Sequence, residues 1–234
     1  MIVDGVPVEG TFLARLGRFS ALVELPSGVE RAYLPSTGRV WELLDEGRRV
    51  FLVRRQARHT GLDWDLYLLD AGGVLVWADP RAAARVLEEG FAEGRVMMSW
   101  GAPSGVWREV GFGNSRLDLL ISGEGRGLFL EVKAVTLVRD GVALFPDAPT
   151  TRGTRQLKAL VEARGEGFGA GVAFVVQRGD ARSLQPNADV DRRFVEALRE
   201  AREAGVDLYA YGCTVGIDRI VLADPLELCP DCSW

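Results

Sequence analysis

Leu128-Phe129-Leu130-Glu131-Val132-Lys133 is a short apolar run that closes on Glu-x-Lys. Its composition predicts a strand, in which successive side chains alternate between the two faces of a sheet. Glu131 and Lys133 then point the same way, and Val132 points into the core. A carboxylate beside an ammonium at the end of a buried sheet suits a metal ion and the water it activates. The lysine is informative in itself: the chain carries 28 Lys+Arg, and only Lys133 and Lys158 are lysine. A compact, movable point charge is not replaced by the planar fork of arginine.

Upstream, Ser115-Arg116-Leu117-Asp118-Leu119-Leu120 is a second apolar strand with an acid inside it. Burying an unpaired carboxylate is costly, so Asp118 needs a reason to be there. If the two strands form a hairpin, Asp118 and Glu131 face each other, and converging carboxylates repel unless a cation lies between them. Mg²⁺ prefers oxygen ligands and keeps several waters; Mn²⁺ is the other candidate, and the Val132 carbonyl is a further ligand. Glu109, on the preceding strand, completes the expected metal set of Asp118, Glu131 and Glu109. The expected catalytic set is Lys133, Asp118 and Glu131. A metal there polarises a phosphodiester oxygen and lowers the pKa of a bound water, while Lys133 orients that water or offsets charge on the phosphoryl oxygens. The same spacing also admits a plainer arrangement, with Glu131 and Lys133 as an exposed strand-end ion pair and Asp118 capping a turn.

Candidate nucleic-acid contacts surround this set. Arg116 precedes Asp118, and Thr150-Thr151-Arg152-Gly153-Thr154-Arg155 opens a helix. A helix N-terminus flanked by Thr, Arg152 and Arg155 is a phosphate cradle; an ordinary capped helix start accounts for that stretch equally well. Gln177 ends an apolar strand and brings an amide to the same end of the sheet. In Gly17-Arg18-Phe19, Phe19 is placed to stack a base with Arg18 on phosphate, although a core position is the commoner role for Phe. From Gly10 to Thr60, a stretch that includes Arg39, nine arginines against five acids leave a net charge of +4.

The first 80 or so residues read as short strands: Thr11 to Leu16, Ser20 to Leu25, Val29 to Leu34, Val50 to Arg55, Trp64 to Leu69 and Val74 to Trp77. Turn chemistry at Pro26-Ser27-Gly28, Asp45-Glu46-Gly47 and Ala71-Gly72-Gly73 separates them. That pattern predicts a small barrel. Asp79 then fits a helix N-cap and Pro80 the first helical position, ahead of a helix to about Glu89. Beyond it the order is three strands, a helix (Thr151 to Arg164), an apolar strand (Gly171 to Gln177), a helix (Asp189 to Ala204) and a strand (Leu208 to Tyr211). The expected architecture is mixed α/β, with a barrel over residues 1–79 and an α/β domain over residues 80–234.

Composition narrows the function classes. Apolar content of 47% and charged content of 26% over 234 residues are those of an ordinary soluble globular protein. No run approaches the roughly 20 apolar residues of a membrane helix, and Met1-Ile2-Val3-Asp4-Gly5 lacks a basic segment followed by an apolar one, so the expectation is a cytoplasmic protein without membrane partners. One histidine, His59, excludes a His-rich zinc site and leaves no plausible Ser-His-Asp or Cys-His triad. Three cysteines are too few for a disulfide framework; Cys229 and Cys232 read as an incidental tail, a reducible surface pair or a half-site. No phosphate-binding GxxxxGK[ST] loop or strand-linked GxGxxG is present. The net charge of −5 argues mildly against bulk nucleic-acid affinity. The oligomeric state stays open, a homodimer included.

Taken together, Gly113-Asn114-Ser115-Arg116-Leu117-Asp118-Leu119-Leu120, Glu131-Val132-Lys133-Ala134-Val135-Thr136-Leu137 and Phe145-Pro146-Asp147-Ala148-Pro149-Thr150-Thr151-Arg152-Gly153 resemble the sugar fermentation stimulation protein A family. Val175-Val176-Gln177-Arg178 and Leu34-Pro35-Ser36-Thr37-Gly38-Arg39 match as well, and the resemblance covers nearly the whole length. It implies an N-terminal oligonucleotide-binding (OB) barrel joined to a domain like the PD-(D/E)xK nucleases. In that superfamily the paired acids and lysine bind Mg²⁺ and cleave phosphodiesters, and Asp118, Glu131 and Lys133 match the core, with Glu109 as upstream acid. It further implies DNA binding, RNA not being excluded, and a link to regulation of sugar metabolism. Two readings follow: a metal-dependent nuclease, or a DNA-binding regulator that retains a nuclease-like fold without turnover. The chain departs from the family's pattern at Ser36, commonly Asn, and at Gln156, commonly His; the second removes an imidazole near the expected site.

Overall fold

The computed structural model describes residues 1–35, 39–54, 62–96, 104–122 and 127–229. His59, Cys232 and the side chain of Arg39 lie outside the described residues. The first sheet is built from β1 (Pro7–Arg15), β2 (Ser20–Leu25), β3 (Gly28–Tyr33), β4 (Arg49–Arg54), β5 (Trp64–Asp70) and β6 (Leu75–Trp77). Alternation sets its inner face: in β2 Ala21, Val23 and Leu25 are buried and Glu24 is exposed. Strand order is β3-β2-β1-β4-β5-β6, and β3 also pairs with β5 in parallel through Ala32↔Trp64 and Tyr33↔Asp65. The pairings therefore run in a ring, β1-β2-β3-β5-β4, joined by a short seam. Five short strands in a partly open ring are the architecture of an OB fold. Phe12, Val23, Leu34, Leu52 and Leu66 belong to its core.

Asp79 caps the next turn as its residue type predicts: its Oδ1 accepts the Arg81 backbone N–H at 2.9 Å. The helix α1 (Ala82–Ala92) nevertheless starts later than Pro80. Ala82 N–H bonds Asp79 O and Ala83 N–H bonds Pro80 O, so the entry is a tight i→i+3 turn.

The chain then runs β7 (Gly105–Phe112), β8 (Ser115–Ser122), β9 (Leu128–Val135), β10 (Val138–Arg139), β11 (Val142–Phe145), α2 (Thr151–Gly165), β12 (Gly169–Val176), β13 (Ser183–Pro186), α3 (Ala188–Glu203), β14 (Asp207–Val215), β15 (Ile220–Pro225) and β16 (Glu227–Leu228). The main sheet has the order β15-β14-β12-β9-β8-β7. Its centre, β9, β12 and β14, is parallel, and antiparallel strands flank it. All of β12 is buried, as a central parallel strand covered on both faces must be. A smaller sheet, β10-β11-β13-β16, sits beside it. Among the described residues no helix is long and apolar enough to cross a membrane.

The two faces of β9 serve two cores. Leu128 and Leu130 pack with Val86 and Leu87 of α1 and with Phe51, Tyr67 and Trp77 of the first sheet. Phe129 and Val135 pack with Leu157 and Leu160 of α2 and with Phe194 and Leu198 of α3. The OB strands and the main sheet thus share apolar core, and hydrogen bonds join them: Trp77 N–H to Gln177 O at 2.9 Å, and Tyr67 O–H to Ile217 O at 2.5 Å.

Helices α2 and α3 meet at Gly153. A Cβ there would lie 2.9 Å from Phe194 Cε2 and 2.9 Å from Thr150 Oγ1. Thr150 Oγ1 caps α2 by accepting Gly153 N–H, and the Asp191 carboxylate accepts both Thr150 N–H and Phe194 N–H. Gly153→Ala is expected to destabilise the protein by about 1–3 kcal/mol through overpacking, against a gain of about 1 kcal/mol in helix propensity. Urea denaturation checks this; a variant more stable than the parent would contradict the close approach.

Candidate functional site

Strands β8 and β9 pair through Leu119↔Leu130, Leu120↔Phe129 and Ile121↔Leu128. The paired positions end at Leu119 and Leu130, and just beyond them the Asp118 carboxylate comes beside the Glu131 carboxyl. There the strand pairing gives way to a side chain: Val132 N–H donates to Asp118 Oδ2 at 2.7 Å. Glu131 is 2% exposed, and its Oε1 accepts from Lys133 Nζ at 2.7 Å. Lys133 also donates to Gln156 Oε1 at 3.0 Å, and Gln156 Nε2 donates to the Arg116 carbonyl at 3.3 Å. The ion pair is therefore a buried one, not the exposed strand-end pair that the sequence also admitted.

The other oxygen, Glu131 Oε2, is buried without a hydrogen-bond partner. Burial is the main cause that pushes the Glu131 carboxyl up to about 7; Asp118 adds to it by repelling the ionised form and bonding the protonated one, and Lys133 opposes it. Two acceptor groups facing each other in a desolvated place call for a proton or a metal cation between them.

Glu109 does not join this pair. It has φ 55, left-handed backbone uncommon outside glycine, and its carboxylate lies 2.6 Å from Arg116 Nε. Among the described residues no three acidic, His or Cys side chains converge on a metal position. The expected third ligand is thus held by Arg116, itself an expected phosphate contact. Glu109 and Asp118 do line one cleft of about 410 Å³, together with Arg81, Arg85 and Arg108.

Gln177 lies at the same end of the sheet as Lys133 and lines one cleft with it, but its amide nitrogen is committed inside the protein. It is fully buried, and its Nε2 donates to Trp77 O at 3.1 Å and Asp79 O at 2.9 Å. Its amide nitrogen joins the last residue of β6 and the segment after it to the main sheet instead of reaching outward for a nucleic acid. Arg152 and Arg155 are exposed on the first turns of α2, while Thr150 serves that helix as its cap. Phe19 is 38% exposed and so is no core residue. Arg18 lies over its ring at 5.2 Å, and Arg18 and Lys133 both line a second cleft, of about 310 Å³. The residue that sequence reasoning left out of the site is Gln156. Its signal was a polar side chain next to Leu157 on the buried stripe of α2, where the structure gives it a partner on either side.

Residues 81–219 match the family described as "Sugar fermentation stimulation protein RE domain", and residues 13–78 match "SfsA N-terminal OB domain". A sugar fermentation stimulation protein homolog from Alkaliphilus metalliredigens is 40% identical over 228 residues, covering 97% of this chain and 98% of the relative. One from Acetivibrio thermocellus is 41% identical over 220 residues, 94% of each. The solved structure of Pyrococcus furiosus SfsA in complex with Ca²⁺ superimposes with a TM-score of 0.86 at 27% identity, over 97% of this chain and 99% of that one.

Proposed function

The chain belongs to the sugar fermentation stimulation protein family, and from that premise we propose that it binds nucleic acid and cleaves phosphodiesters at Asp118, Glu131 and Lys133 with a divalent cation. The observation that carries this reading is the buried Glu131 oxygen left without a partner beside a second carboxylate. Asp118, Glu131 and the Val132 carbonyl are the groups that would hold Mg²⁺ or Mn²⁺. The Ca²⁺ named for the Pyrococcus furiosus relative supports a hard cation with oxygen ligands. When bound, such an ion polarises a phosphoryl oxygen and supplies an acidified water.

The chain's own residues do the rest. The Val132 N–H fixes the Asp118 carboxylate. Glu131 and Gln156 take two of the three protons of the Lys133 ammonium, which leaves one donor to orient a water or meet charge that develops on a phosphoryl oxygen. The Glu109–Arg116 ion pair favours the second reading, a DNA-binding regulator without turnover, since it keeps a third carboxylate off the centre.

Purified protein with single-stranded, duplex and branched DNA and RNA in Mg²⁺ or Mn²⁺ distinguishes the two. Cleavage is expected, and Asp118→Ala and Glu131→Ala each lower it at least about 100-fold. Binding without cleavage would favour the regulator; cleavage that survives both substitutions would contradict the site.

A further inference from the structure

The two clefts meet at a ridge made by Pro80 and Val132, which line both. On one side the cleft runs between Lys133 and Arg18; on the other, Asp118 faces Arg81, Arg85 and Arg108. Arg81 and Arg108 are each held in an ion pair, with Asp79 and Glu88, so their heads are fixed at the wall. At the mouth near the barrel, Arg15 donates to Gly17 O and Arg18 O at 2.8 Å each, which braces the β1–β2 turn. That turn presents Phe19, partly exposed, with the Arg18 guanidinium on its ring and the Tyr33 ring 6.2 Å away.

We infer that the two clefts form one track for a single unpaired nucleic-acid strand, with a base stacked on Phe19 and the backbone passing Lys133 on its way to the arginines beyond Asp118. The inference rests on the proposed cleavage site and names its substrate class. An exposed aromatic ring beside a guanidinium is a stacking platform for any base, and a paired duplex keeps its base faces inside its own stack. The side chain a phosphate must reach, Lys133, is nearly buried at 11% exposure. Each cleft has room for about one small-molecule ligand, which suits a strand threaded nucleotide by nucleotide. Arg18, Lys133, Arg81, Arg85 and Arg108 line the track against Asp147, Glu109 and Asp118, and the surplus of two positive charges, five minus three, complements a phosphate backbone.

Fluorescence anisotropy in EDTA, where no cleavage occurs, tests this with labelled dT and rU strands of about 15 nucleotides, near the span of an OB site, against a hairpin duplex of equal length. Either single strand should bind at least about tenfold tighter than the duplex. Phe19→Ala should weaken single-strand binding by about 5- to 100-fold, as loss of one stacked base predicts, and Phe19→Trp should restore it. Arg18→Ala should lower the slope of log affinity against log salt by about 1. Duplex binding equal to or tighter than single-strand binding, or single-strand binding unchanged in Phe19→Ala, would overturn the inference. Neither result touches the effect of Asp118→Ala on cleavage, so failure of the track and failure of the cleavage site are read separately.

Discussion

Glu131→Gln is expected to raise the stability of the metal-free protein at pH 8 by about 2 kcal/mol and to abolish its stabilisation by Mg²⁺. The Glu131 carboxyl is raised from 4.5 to about 7. Between those values the folded chain keeps a proton that the unfolded chain has released, so stability falls as pH rises through that window and the loss is complete above it. At about 1.4 kcal/mol per unit the full loss is on the order of 3 kcal/mol. Glutamine keeps an acceptor for Lys133 and offers Asp118 an N–H in place of a charge; the weaker attraction to Lys133 takes back part of the gain. A cation does for the pair what the proton does at low pH, so stabilisation of the parent by Mg²⁺ should grow as pH rises from about 5 to 8. Urea midpoints at both values, with and without Mg²⁺, check this. A variant less stable than the parent at pH 8, or one that keeps the Mg²⁺ shift, would contradict it.

Lys133→Arg is expected to fold and to bind nucleic acid like the parent but to lose cleavage by at least about 100-fold, the typical effect of displacing one transition-state donor. The Lys133 nitrogen sits 2.7 Å from Glu131 Oε1 and 3.0 Å from Gln156 Oε1. A guanidinium retains the positive charge that Glu131 needs in a buried place, so folding survives. Its planar fork spreads that charge over separated nitrogens at a greater reach, and the remaining donor no longer occupies the position of the ammonium. Single-turnover cleavage, with melting temperature and anisotropy as controls, measures the split. Parental cleavage would mean that the choice of lysine is incidental.

What the sequence disclosed follows from periodicity. The bounds of β2 were read residue for residue, because alternating burial and turn residues mark both ends. The common face of Glu131 and Lys133 followed from the two-residue repeat of a strand, and the approach of Asp118 to Glu131 from their place on the neighbouring strands β8 and β9. The strands β10, β11, β13 and β16 went unread: they span two to four residues each, too few for a repeat to show. Long-range partners were equally hidden. Nothing local to Gln177 announces that its amide bonds the carbonyls of Trp77 and Asp79, 100 and 98 positions away, and nothing local to Glu109 announces a left-handed backbone or its ion pair with Arg116. Phe19 was read with a core role as the commoner one, since apolar type alone does not tell an inward ring from one held out by a braced turn.

The claim on which the rest depends is that Asp118 and Glu131 share a divalent cation. Anomalous diffraction from crystals soaked in Mn²⁺ at pH 8 tests it most directly. The account predicts one Mn²⁺ peak per chain bonded to both carboxylates at about 2.0–2.3 Å, the range of hard cations with oxygen ligands, with Lys133 still in contact with Glu131. Mn²⁺ bound elsewhere, or no peak with the two carboxylates still face to face, would contradict it.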